Sequence, residues 1–423
     1  MRRARAAGPP ETGPPETGLR ALDWLNFFVA NLQTGFGPFI AVYLTTHKWT
    51  QGEIGVALSV GSAVTMLAQV PAGALVDAMP RKGLAATIGL LAVAASAALL
   101  ALWPEQGPVM LAQGVHGFAS CVLMPAIAAI TLNRVGRGAF AERLGRNARF
   151  AAIGNAAGAA LMGVVGSYVS SQAVFWLAAA LTVPALLAVR AMPPRDPSPD
   201  PALAAATLRP PDGARGFAGW GVLLDRRLLG FALCILFFQL ANAAMLPIAA
   251  AEVTRQAGDR ANLVIAACLV VPQAVVALLS PWVGRMAERR GRRIVLLLGF
   301  VALPVRGLLL ATLASPGLIV ASQVLDGVGG AVAGVLVPLV AADLTRGTGR
   351  FNLCMGTIGL AVGVGATLST AMAGGLAGRF GSSVAFLALT LAGAVAVLIA
   401  AATMPETRPD AAPTPPAAPS PDA

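Results

Sequence analysis

The sequence predicts an all-α integral membrane protein with twelve transmembrane helices in two pseudo-symmetric six-helix bundles. Three observations predict it: long apolar runs, one-sided basic residues, and a charged signature that occurs twice. The chain of 423 residues is 57% hydrophobic and 12% charged, too apolar for a water-soluble protein of its length. Apolar runs of roughly 20 residues, enough to cross about 30 Å of hydrocarbon, fall near 22–46, 52–76, 83–103, 108–132, 149–169, 172–192, 229–251, 261–284, 294–314, 317–342, 353–377 and 383–403. They lack the apolar–polar alternation of a transmembrane β-barrel, so they read as helices.

The net charge of +11 raises the question of nucleic acid, and its distribution answers it. With the N-terminus placed in the cytoplasm, only Lys48, Arg255, Arg260 and Arg379 of the 30 basic residues fall on the far side. Arg306 falls inside a span, and all the others sit in cytoplasmic loops and tails. That is the positive-inside pattern. The basicity sets orientation and draws anionic lipid headgroups, with no nucleic-acid partner implied. The expected location is a plasma membrane of the bacterial inner-membrane type, with both termini cytoplasmic. Residues 1–20 carry arginines without an apolar core, so no cleavable signal is expected and span 1 serves for insertion. Cys121, Cys234, Cys268 and Cys354 all lie within spans at spacings that suit neither a metal site nor a loop disulfide.

The near-repeat GPPETGPPETG and a Pro/Ala-rich end mark residues 1–20 and 405–423 as disordered cytoplasmic tails. A proline-rich cytoplasmic linker over 193–224 separates an N-terminal six-helix bundle, 21–192, from a C-terminal one, 225–404.

The second half repeats the first. Gly73, Leu75, Asp77, Arg81 and Lys82 follow span 2; Gly284, Glu288, Arg289, Gly291, Arg292 and Arg293 follow span 8. Phe27-Phe28 with Asn31 and Pro38 recurs as Phe237-Phe238 with Asn242 and Pro247, and Gln113 with His116-Gly117 recurs as Gln323 with Asp326-Gly327. All share an offset of about 210 residues, the sign of a duplicated six-span unit. In these loops, and in the layout from span 1 to span 12, the chain resembles the major facilitator superfamily. The resemblance implies a secondary transporter working by alternating access. It further implies that Asp77 docks on the start of span 11 near Arg350, and Glu288 on the start of span 5 near Arg149, when the inner gate is shut. The first loop departs from the family's signature at Ala78 and Pro80. Drug–proton antiporters of the family also carry a Gly-Pro-x-x-Gly-Gly element in span 5, where this chain has Gly158-Ala159-Ala160-Leu161-Met162-Gly163. They place an arginine where this chain has Met110.

An ionisable side chain at mid-bilayer costs about 2.5–3.5 kcal/mol on insertion scales. Asp326, His116 and Arg306 are therefore the candidate proton-coupling residues. His116 and Asp326 occupy matching places in the two halves, predicted to face each other across a central cavity; both can exchange a proton. The alternative is a structural pair of Asp326 with Arg306. The amides Asn26, Asn31, Gln33, Gln113, Gln239, Asn242 and Gln323 are candidate cavity residues for an uncharged or zwitterionic solute. Helix–helix hydrogen bonding is the competing role. Asp23 is expected to be solvated at the cytoplasmic interface.

No GxxxxGK(S/T) phosphate loop and no nucleophile or metal spacing occurs, so the chain reads as a carrier and not an enzyme, without cofactor or metal. The expected partners are a small organic solute, protons and membrane lipid, with the monomer as the working unit. Efflux antiport stands slightly ahead of uptake symport of an organic anion or nutrient, and direction stays open. A non-transporting receptor or scaffold on a carrier fold is the alternative of another class.

Overall fold

The computed structural model describes residues 16–34, 36, 38–192, 224–249, 252, 261–312 and 315–407. Most of the expected tails and linker, at 1–15, 193–223 and 408–423, lies outside them, as do Arg255 and Arg260.

Twelve helices among the described residues are long and apolar enough to cross a membrane. They are span 1 (Gly18–Thr46), span 2 (Glu53–Ala78), span 3 (Lys82–Leu102), span 4 (Gln106–Val135), span 5 (Phe140–Tyr168) and span 6 (Ser171–Arg190). The second half supplies span 7 (Arg226–Ala249), span 8 (Ala267–Arg290), span 9 (Arg292–Thr312), span 10 (Pro316–Leu344), span 11 (Phe351–Phe380) and span 12 (Ser382–Thr403). No strand occurs among the described residues.

Two spans are interrupted. Span 1 consists of the helices Glu16–Thr34 and Pro38–Thr46, with Phe36 in a turn between them. Span 7 turns at Ala243–Ala244, where Pro247 cannot donate to the carbonyl four residues back. The N–H of Ala244 donates to Ser369 Oγ of span 11 at 3.0 Å, satisfying a group that the turn exposes.

The duplication is visible in the packing. Span 1 lies on spans 5 and 6, span 3 on spans 4 and 6, and span 2 on span 4; spans 7, 9 and 8 repeat these contacts with 11 and 12, 10 and 12, and 10. Between the halves, span 2 packs along span 11 and span 8 along span 5. Lipid tails are as apolar as leucine, so close backbone approach and not water exclusion holds such helices together. Glycines provide it in matched pairs. A methyl group on Gly154 would overlap the Phe27 carbonyl, and one on Gly365 the Leu236 carbonyl. Between the halves, Gly73 meets Asn352 as Gly284 meets Ala141, and Gly356 meets Gln69 as Gly145 meets Ser280.

These contacts lie toward the face carrying the arginine-rich loops, here the basic face. There the apolar core of the C-terminal half runs on into Ala128, Leu132, Phe140 and Leu144 of spans 4 and 5. Arg137 donates to the Ala342 carbonyl across the seam at 2.8 Å.

Two expectations at the chain ends need correction. Residues 16–20 are helical and continue into span 1. Past span 12, the Glu406 carboxylate accepts the N–H groups of Arg292 (2.8 Å) and Arg293 (3.2 Å), capping span 9. It can do so because Gly291, at φ +99°, has no Cβ to block it.

Candidate functional site

Three helices of the C-terminal half converge on Arg306. The span 9 guanidinium is 1% exposed and donates from Nη1 to Asp326 Oδ1 (2.6 Å) and Asn242 Oδ1 (2.8 Å). Its Nη2 donates to Gln323 Oε1 at 2.7 Å. The sequence brings them together simply: Gln323 and Asp326 are three apart on one face of span 10, and Asn242 ends the first segment of span 7. Asn242 and Gln323, expected as cavity amides, thus hold the guanidinium with their carbonyl oxygens. Gln323 also donates to the Ile319 carbonyl (3.0 Å), which fixes its orientation. The pair is lopsided: the Asp326 side chain keeps 21% exposure. Arg306 Nε is buried without a hydrogen-bond partner.

His116 does not touch Asp326. Its ring lies flat on Phe36, centroids 3.7 Å apart and planes 5° apart, and Phe36 meets Phe175 edge-on. Ser120 Oγ is 3.5 Å from Nε2, and Nδ1 is buried without a partner.

The remaining amides divide by role. Asn26 donates to the Leu22 carbonyl of its own helix at 2.8 Å. Gln113 is buried against Gly61, and the Cβ of Gln239 lies beside Gly365. Asn31 Oδ1 and Gln33 Nε2 are buried without partners. Asn155 and Gln273 belong here too, outside the residues that the sequence pattern marks. Asn155 Nδ2 lies 3.5 Å from Gln273 Oε1 across the halves, and Thr34 Oγ1 lies 3.5 Å from Asn155 Oδ1. An amide inside an apolar run was the available signal for both.

Asp77 reaches the other half. Its Oδ1 accepts from the Asn352 N–H (3.0 Å) and side-chain amide (2.7 Å), and Oδ2 accepts from the Leu353 N–H (2.8 Å). These N–H groups begin span 11, where a carboxylate meets free donors and the positive end of the helix dipole. Gly73, one turn earlier, lets the helices close far enough for this. Gly284 stands one turn before Glu288 on the matching contact with span 5.

Lys82 is buried, its Nζ donating to the carbonyls of Val76 (2.6 Å), Asp77 (3.1 Å) and Met79 (2.8 Å). It caps the end of span 2 within one half. Arg292 does likewise toward the Ala287 carbonyl at 3.0 Å and pairs with Asp343 at 3.2 Å. Arg81, Arg289 and Arg293 are exposed, and Arg293 Nη2 donates to the Ala401 carbonyl at 2.6 Å.

Asp23 is not solvated. It is 3% exposed, paired with Arg143 at 2.7 Å and Arg146 at 2.6 Å. Arg143 Nε donates to Asn147 Oδ1 (2.9 Å), and Asn147 Nδ2 to Thr131 Oγ1 (2.9 Å), tying spans 1, 4 and 5 together. All four cysteines are free and buried.

Known proteins agree with this architecture. The family model described as Major Facilitator Superfamily matches residues 22–259 and 232–422. Two uncharacterised MFS-type transporters of Mycobacterium tuberculosis are each 36% identical over 395 residues, covering 92% of this chain and 93% of theirs. Among solved structures, the human organic anion transporter MFSD10 aligns with a TM-score of 0.73 at 16% identity, over 93% of this chain and 100% of its own. The Escherichia coli fucose:proton symporter FucP aligns at 0.73 and 15% identity, over 90% and 97%. FucP in its outward conformation aligns at 0.72 and 17%, over 92% and 98%. At such identities these structures share the fold. The chain belongs to the major facilitator superfamily and is a multi-pass membrane transporter of that fold.

Proposed function

We propose that the protein is a proton-coupled carrier of a small organic solute that alternates access between the two faces of a bacterial inner membrane. The observation carrying this reading is the Arg306–Asp326 pair: a guanidinium sealed from its surroundings beside a carboxylate that remains reachable. A proton arriving on Asp326 removes the charge that Arg306 answers, while Asn242 and Gln323 keep the guanidinium in place. The ionic part of the hold between spans 9 and 10 is thereby lost, leaving neutral hydrogen bonds that a shift of span 10 breaks more easily. A ligand moves a two-state equilibrium only through differential affinity for the states, and a proton bound at Asp326 has it. His116, with its partnerless Nδ1, is a second proton-exchanging group in the other half. The basic face is taken as cytoplasmic, with both termini there and its arginines against anionic headgroups. Contacts between the halves gather at that face, which supports an outward-facing state held by the Asp77 and Gly73 contacts. The monomer contains both halves and is the working unit in this reading. Efflux antiport and uptake symport both fit it.

The test uses proteoliposomes with an internal pH-sensitive dye and a panel of lipophilic cations, organic acids, amino acids and sugars. Solute-dependent proton movement in the wild type, absent in Asp326→Asn, is expected, and its sign gives the direction. Equal solute flux in both proteins without proton movement would make Asp326 structural.

A further inference from the structure

Among the described hydrogen bonds joining the two halves, Asn155–Gln273 lies farthest from the basic face. Asn155 is about 22 Å along span 5 from Phe140, and Gln273 about 25 Å along span 8 from Arg290. The pair therefore sits about 10–15 Å deeper than the Gly145–Ser280 contact on the same seam. Both residues are half-buried, so space borders them. The contact is long at 3.5 Å; with Thr34 on Asn155 Oδ1, it still leaves each amide at least one N–H and one lone pair to offer.

Three further observations point to a ligand here. Asn31 Oδ1 is buried without a partner, and its residue is 3% exposed. It lies against Gly158, one turn from Asn155 on the same face of span 5. An orphaned buried acceptor of this kind costs about 1–3 kcal/mol and asks for a donor. Next, the pair has no pseudo-symmetric copy. The glycine contacts repeat on both seams, but the positions matching Asn155 and Gln273 one repeat away are Ala366 and Ser62. The amides on that seam, Gln69 against Gly359 and Asn352 against Gly73, lie nearer the basic face. Finally, the pair adjoins the ion pair: Pro272, next to Gln273, turns its carbonyl toward Gly327, next to Asp326, leaving no room for a Cβ there.

We propose that Asn155 and Gln273, one amide from each half, form the seam of the solute site and take an uncharged hydrogen-bonding solute of the polyol or carboxamide class. The solute replaces the direct amide–amide contact, gives a donor to Asn31 Oδ1, and is held by both halves at once. Side-chain amides each offer a donor and an acceptor, which suits adjacent hydroxyls or a carboxamide. No charged group bonds to any of the four side chains Asn31, Thr34, Asn155 and Gln273. This deepens the carrier reading of the same cavity and rests on it, while not depending on which ion is coupled.

The experiment exploits the four buried cysteines, since a thiol-reactive dye lights up only when the protein unfolds. Thermal unfolding of the full chain in detergent is followed with mannitol, myo-inositol, nicotinamide and acetamide as uncharged probes, benzoate as anion and tetraethylammonium as cation. An uncharged probe is expected to raise the wild-type Tm by about 2 °C or more. Asn155→Ala and Gln273→Ala should lose the shift. Asn155→Gln and Gln273→Asn, and the Tm of each variant without probe, separate loss of binding from loss of folding. The proposal is overturned if no uncharged probe stabilises the wild type, if only benzoate or tetraethylammonium does, or if the shift survives in both alanine variants. A shift lost in Asp326→Asn alone would place the solute at the ion pair, overturning this site while leaving coupling intact. A shift lost in the alanine variants, with proton movement unchanged in Asp326→Asn liposomes, would keep the site and sink the coupling reading.

Discussion

Asp77 Oδ1 accepts two hydrogen bonds from one residue of the opposite half, the backbone N–H and the side-chain amide of Asn352. A carboxylate from span 2 thereby caps span 11, and closure of the basic face carries the free energy of a helix cap. Caps and dipole contacts of this kind contribute about 1–2 kcal/mol. Asp77→Ala should shift the closed-to-open balance by roughly five- to thirty-fold. Spin labels at the exposed positions Arg81 and Arg346, one per half, read it as a longer-distance population. An unchanged distance distribution would mean that the cap contributes nothing to closure.

The glycine pairs test the same closure sterically. A Cβ on Gly73 or Gly284 meets the backbone of Asn352 or Ala141, which cannot step aside as a flexible side chain can. Gly73→Ala and Gly284→Ala should each open the basic face in the spin-label measurement. Gly163→Ala and Gly374→Ala, where nothing lies within 4 Å, should leave it unchanged and gain up to about 1 kcal/mol of helix stability. Equal behaviour of both sets would separate closure from backbone contact.

Much of this was legible in the chain. The twelve spans, the twofold plan and the charged loops follow from hydropathy, sidedness and the repeated Gly-x-x-x-acid spacing. Asp326 and Arg306 are legible because an ionisable group in an apolar run needs a reason. Pairing is harder to read than placement. Asn242 and Gln323 looked like solute amides, because an amide that steadies an arginine has the same sequence as one that lines a cavity. Asp23 looked solvated because its partners, Arg143 and Arg146, come from a basic loop whose arginines topology already explained. Asn155 and Gln273 are lone amides in apolar runs, with neither a copy one repeat away nor a second amide one turn along the same helix face to mark them.

The Asp23 cluster carries its own forecast. Arg143 is nearly buried, whereas Arg146 keeps 53% of its side chain exposed. Surface pairs contribute about 0–1 kcal/mol, and removing one partner of a buried pair costs about 3–5 kcal/mol. Arg146→Gln should therefore leave the thiol-dye melting curve almost unchanged, and Asp23→Ala should lower Tm clearly by leaving the buried Arg143 guanidinium only the neutral acceptors of Asn147 and Leu19. Similar curves for the two variants would show that water reaches this cluster.

The same reasoning ranks substitutions at the ion pair. Arg306→Met strands three acceptors at once: the Asp326 carboxylate and the carbonyls of Asn242 and Gln323. Asp326→Leu removes one acceptor, and the guanidinium keeps two. Asp326→Asn removes only charge, since the new carbonyl oxygen can still accept from Nη1. Loss of Tm should thus fall in the order Arg306→Met, Asp326→Leu, Asp326→Asn. The double change Arg306→Met/Asp326→Leu should not return to wild type, because the buried Gln323 carbonyl stays unpaired at a cost of about 1–3 kcal/mol. Arg306→Lys should lie between, because one ammonium cannot reproduce the two-pronged hold on Asp326 and Gln323. A stable Asp326→Asn that no longer moves protons in liposomes would separate the coupling role of the carboxylate from its structural one. If Asp326→Asn instead unfolds as readily as Arg306→Met, the charge of Asp326 is what holds spans 9 and 10 together.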